Sequence, residues 1–98
     1  MVKAKKVEII ANYMDVRVMI KEMEQVGIKG YSMIRGVSGR GKHGKSHEES
    51  YIDSMTSCYI MVVCPEVQAE ALIVAVTPLL KRFGGICVVS DVQQVDFK

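Results

Sequence analysis

The chain has 98 residues, 49% of them hydrophobic, no tryptophan and a formal net charge of +2. It is too apolar for a disordered chain, and the mild charge gives no support to nucleic-acid binding by bulk electrostatics. One domain spanning 1–98 follows, with a core small enough that association would add to its stability.

The segment 6–12 (KVEIIAN) is short and β-branched and predicts a strand. Residues 15–26 place Val16, Met19, Ile20, Met23 and Val26 at helical spacing, and Gly27 is a helix-stop signal. Residues 31–37 predict a second strand. A loop about 38–54 follows, where Gly39, Gly41 and Gly44 break regular structure. Residues 55–64 (MTSCYIMVVC) predict a third strand, and Pro65 suits a first helical turn. The second helix runs 67–82, with a break or kink expected near Thr77 because Pro78 follows. Gly84 and Gly85 end it, residues 86–92 predict a fourth strand, and the remainder reads as a tail or extra strand.

The order βαββαβ predicts an α+β, ferredoxin-like fold: a four-stranded antiparallel sheet with two helices on one face. In the third strand Ile60 and Val62 point one way, and Tyr59, Met61 and Val63 the other. The face without helices would then be apolar too, which predicts an oligomer.

No apolar run is long enough to span a bilayer, since Pro65, Glu66, Gln68 and Glu70 interrupt the longest. The start MVKAKKVEII lacks a signal-peptide core. Both point to a cytoplasmic protein with no membrane insertion. Cys58, Cys64 and Cys87 lack C-x-x-C spacing and read as reduced core residues.

The stretch GRGKHGKS (39–46) matches G-x-x-x-x-G-K-[ST], the phosphate-cradling P-loop. A P-loop also needs a helix straight after Lys45–Ser46 and a magnesium-holding carboxylate, for which Asp91 is the candidate. HEESYIDSM carries no apolar stripe for such a helix, and too little chain remains for parallel crossovers. Binding without hydrolysis fits better. Gly39 and Gly41 let backbone amides approach an anion, Arg40 can grip a phosphate in two-pronged fashion, and Lys42 and Lys45 add charge. His43 and His47 could ligate a metal, but the neighbouring cations oppose it. No nucleophile–base pair is apparent, so enzyme activity is not expected, and the loop has too little aromatic interleaving for nucleic acid.

Five pieces carry a family resemblance: KKVEII (5–10), MDVR (14–17), VGIKGYS (26–32), VSGRGKHG (37–44) and VVSDV (88–92). They resemble, in order, the opening strand, the D-D-V-R helix, the V-G-I-x-G-M-T turn, the K-G-F-G-R-Q-K-G-H loop start and the F-V-F-D-V closing strand of the PII signal-transduction proteins. The resemblance implies a ferredoxin-like homotrimer that binds adenine nucleotides in clefts between subunits. The loop about 38–54 would be its T-loop, which docks on a transporter or enzyme. Ile10 and Ser32 match positions around the adenine, and Cys64 one whose backbone contacts the base. Gly39 and Arg40 match the G-R near the phosphates, and Gly84 and Gly85 the phosphate-cradling B-loop.

The departures bear on the ligand. Gly84 and Ile86 stand where the B-loop G-D-G-K has aspartate and lysine, and the C-terminal R-x-R has no counterpart. With fewer cations for a triphosphate, AMP or ADP suits the site better than Mg-ATP. The chain is similar to divergent, short PII-like proteins, including the branch associated with bicarbonate transport or carboxysomes. Bicarbonate beside Arg40 would suit the same amide-and-guanidinium chemistry. The expected function is a regulatory sensor needing no cofactor, with a P-loop nucleotide hydrolase or a trimeric metal-binding protein as alternatives.

Overall fold

A computed structural model describes residues 1–40, 51–52 and 57–97 of the chain. Its elements are β1 (Val2–Asn12), α1 (Tyr13–Gln25), β2 (Ser32–Arg35), β3 (Gly39–Arg40), β4 (Tyr51–Ile52), β5 (Ser57–Cys64), α2 (Glu66–Phe83) and β6 (Ile86–Gln94). Four strands form one sheet in the order β2-β5-β1-β6. Every neighbouring pair is antiparallel. This is the expected ferredoxin-like arrangement.

The core follows from two periods. Val7, Ile9 and Ala11 of β1 and Cys58, Ile60 and Val62 of β5 alternate along their strands and are buried. They pack with Val16, Met19 and Met23 of α1 and Ala69, Leu72 and Val76 of α2, so both helices cover this one face. Burial of a side chain such as Leu72, which is 0% exposed, contributes about 1.5–3 kcal/mol.

The other face bears Tyr59, Met61 and Val63, with Ile10 and Glu8 beside them on β1 and Ile34 on β2. No described element covers it, and Ile34 and Val88 remain 58% and 51% exposed. A polar strip crosses it: the Tyr59 hydroxyl donates to Glu8 Oε2 at 2.5 Å, and Lys6 Nζ lies 3.7 Å from Glu8 Oε1.

Several boundaries differ from those expected, each for a physical reason. The first strand begins at Val2, because β6 runs on to Gln94 and the two pair from Val2↔Gln94 to Ile10↔Ile86. The remainder, read as a tail or an extra strand, continues the last strand as far as Gln94. Helix α1 starts at Tyr13 because the Asn12 side chain caps it, accepting from the Met14 amide at 2.9 Å. It ends in a Schellman motif: Gly27, at φ 90°, donates to Glu24 O, and Ile28 donates to Met23 O.

Of the break or kink expected near Thr77, a break does not occur, and α2 passes through Pro78. The carbonyl that Pro78 leaves without a donor belongs to Val74, which is 73% exposed and open to water. The loop about 38–54 is not wholly irregular either, because Gly39 pairs with Ile52 and Arg40 with Tyr51. Its remaining positions from 41 to 50 and beyond 52 lie outside the described residues.

Candidate functional site

The expected site residues fall into separate groups. At one end of the sheet, the chain leaves α2 and enters β6 through Gly84 (φ 89°, ψ 162°) and Gly85 (φ 136°). A Cβ on Gly85 would stand 2.7 Å from the Ile10 carbonyl oxygen and 2.7 Å from Leu80 Cδ2. Ile10, Gly84 and Gly85 are thus in one place, and a side chain at Gly85 would force its neighbours to shift. A Cβ on Gly84 would meet nothing within 4 Å, so its backbone faces open space.

The same end of the sheet carries the exit from β2. Gly36, at φ 82°, donates to Ser57 O at 2.9 Å, and the short β3–β4 ladder with Gly39 and Arg40 follows. Arg35 is held with its guanidinium 3.7 Å over the Tyr13 ring, a cation–π contact that steadies this exit. Gly41 and Lys42 lie outside the described residues, as do His43, Lys45 and His47.

Cys64 lies at the opposite end. Its side chain belongs to the buried core, and burial pushes the thiol pKa up. Cys64 lines a cleft of about 310 Å³ with Gly27, Lys29, Gly30, Val63 and Gln68. Ser32 is on β2 opposite Met61, two residues beyond Gly30. The cleft has the size of a small-molecule site, and its lining includes one amide side chain, Gln68, and one cation, Lys29.

The two ends do not meet within a chain. From Tyr59, opposite Ile10, to Cys64 is five strand residues, about 17 Å at about 3.4 Å each. The glycines also lead into the edge strand β6, while the strand residues of the cleft, Val63 and Cys64, are on β5, two strand spacings or about 10 Å across.

A second cleft, about 470 Å³ and lined by Lys3, Lys5, Glu66 and Asp91, had no sequence signal. Lys5 Nζ bonds Asp91 Oδ1 and lies 3.7 Å from Glu66 Oε1. The Asp91 hydrogen bond raises the Lys5 pKa and holds the Asp91 carboxyl below its usual range. Gln68 was missed as well, since a lone glutamine on a helix carries no motif.

This geometry argues against the P-loop. After Lys45–Ser46 the chain returns as β4, antiparallel to β3, and the described sheets contain no parallel pair. Asp91 is spent on Lys5, at the level of Cys64, whereas the β2 exit is at the level of Cys58. Among the described residues no three His, Cys, Asp or Glu side chains are grouped to hold a metal. No helix there is long and apolar enough to cross a membrane.

Comparison with solved structures finds the same architecture. CPII from Thiomonas intermedia K12, a nitrogen regulatory PII-like protein bound to ADP, AMP and bicarbonate, superposes with a TM-score of 0.79 at 25% identity, covering 95% of this chain and 96% of that one. CPII bound to ADP and bicarbonate gives 0.77 at 26% identity, covering 94% and 88%. The B. subtilis GlnK–ATP complex gives 0.68 at 18% identity, covering 94% and 84%, and shares the fold. No curated protein matches the chain. The family model described as nitrogen regulatory protein P-II matches residues 4–97, nearly the full length over which the strand order and the two glycine-bearing turns were traced. The chain belongs to the P-II family.

Proposed function

We propose that this PII-like regulatory protein is a sensor that binds ADP or AMP, with bicarbonate, in clefts between the subunits of a homotrimer. One observation carries the reading. The turn into β6 and the Cys64 cleft lie at opposite ends of the sheet and on different strands, about 17 Å apart along it and about 10 Å across. Adjacent copies would join the glycine end of one to the cleft of the next. The uncovered apolar face gives the copies a reason to associate. The ligands bound to CPII supply the class of small molecule.

In this reading the base enters the Cys64 cleft and meets the backbone of Cys64, with Ser32 beside it. Ile10 walls the neighbouring side. The phosphates meet Gly84 and Gly85, together with Gly39, Arg40, Gly41 and Lys42. Ligand binding shifts the population of the segment about 38–54, and that segment presents a surface to a protein partner, a transporter or an enzyme. The protein acts by binding, and no catalytic step is assigned to it.

The test combines light-scattering mass with calorimetric titration of ADP, AMP and ATP, with and without bicarbonate, on wild type and Arg40→Ala. A trimer that binds ADP or AMP is expected, with affinity falling about 10- to 100-fold in Arg40→Ala, the size of a charge-assisted hydrogen bond. A monomer that binds none of these nucleotides would overturn the reading.

A further inference from the structure

Gln68 stands in the first turns of α2 and is half-buried at the rim of the 310 Å³ cleft. Its Nε2 donates to the Gly27 carbonyl at 3.0 Å. Only the nitrogen of an amide can face a carbonyl oxygen, so this contact sets the orientation of the whole group. The amide oxygen Oε1 is then turned from Gly27, and no described residue donates to it. The clamp is tight on both sides: Gly27 sits at φ 90°, and a Cβ there would stand 3.1 Å from Gln68 Nε2. An acceptor held in place at the mouth of a cleft, with its capacity unspent, discriminates between ligands more sharply than a mobile one.

We propose that Gln68 is a specificity-determining residue for the base, its Oε1 accepting a hydrogen bond from the 6-amino group of adenine. The inference rests on the reading of this cleft as the base end of a nucleotide site. A purine with a 6-oxo group would set an oxygen against Oε1, acceptor to acceptor. A purine with hydrogen at that position would offer Oε1 no donor. Either mismatch costs affinity because the hydrogen bond made to adenine is lost. Gly27, Ile28, Lys29, Gly30, Val63 and Cys64 complete the cleft, and none of them carries a second side-chain amide.

The experiment titrates wild type, Gln68→Leu and Gln68→Met with ADP, with purine riboside 5′-diphosphate, which has hydrogen in place of the 6-amino group, and with GDP. Wild type should favour ADP over the des-amino analogue by about five- to tenfold, the size of one uncharged hydrogen bond. In both variants that ratio should fall to about one, and discrimination against GDP should shrink. If Gln68 merely props the Gly27 turn, the variants lose affinity for ADP and analogue in equal proportion and the ratio survives, which overturns the proposal. A wild type that binds ADP and the analogue equally removes the Gln68 assignment alone. A wild type that binds no purine nucleotide removes the nucleotide site itself, and this inference with it.

Discussion

Replacing Gly85 by alanine tests the turn between α2 and β6 directly. Two costs add. At φ 136° an L residue is strained, by about 1–2 kcal/mol. The new Cβ would also stand 2.7 Å from Ile10 O and 2.7 Å from Leu80 Cδ2. The leucine can rotate away, but the carbonyl cannot, because Ile10 is held between Tyr59 and Ile86 in the ladders of β5 and β6. Overpacking of this kind costs about 1–3 kcal/mol. The sum, about 2–5 kcal/mol, is a large share of a small domain's stability of about 5–15 kcal/mol. Gly84→Ala is the control. Its φ of 89° brings the backbone strain, but its Cβ would have open space. Urea unfolding at one fixed protomer concentration should give a lower midpoint for Gly85→Ala than for Gly84→Ala, with the difference coming from the clash. Equal midpoints, or a Gly85→Ala cost below about 1 kcal/mol, would refute the packing role of Gly85.

Two further outcomes are expected. Asn12→Ala removes the cap on Met14 N and should lower stability by about 1 kcal/mol, read as a shift of the urea midpoint, whereas Asn12→Asp should keep most of it. Asp91→Asn tests the Lys5 pair through pH. The Lys5 hydrogen bond depresses the Asp91 pKa in the folded state, so its stabilisation is present above the ordinary carboxylate value and lost as pH falls through the folded one. The gap between wild type and Asp91→Asn should therefore be largest near neutrality and close as pH drops below about 4. Because the pair is exposed, the gap should also be small and shrink in salt. A gap that widens in acid would contradict the assignment.

Much of this protein was legible in one dimension. The alternation of Cys58, Ile60 and Val62, and the helical spacing of Val16, Met19 and Met23, carry the strand, the helix and the core face in segments of a few residues. Short-range periods survive in any listing of the chain, and βαββαβ leaves few ways to pair four strands. The family resemblance was legible for the same reason, since VGIKGYS and the glycines at 84–85 are local turns.

What the tertiary structure alone decided lies between distant positions. The length of β1 depended on β6 reaching back to Val2, and Lys5 finds Asp91 across 86 positions. Gly85 has no room for a side chain because of the Ile10 carbonyl, which nothing near it in sequence announces. Gln68 finds the Gly27 carbonyl 41 residues away. Pro78 stays within α2 because Val74 faces water, a fact of burial rather than of propensity. Sequence patterns report which side of an element is apolar. Register and packing decide which atoms meet, and the candidate cleft is made of such meetings.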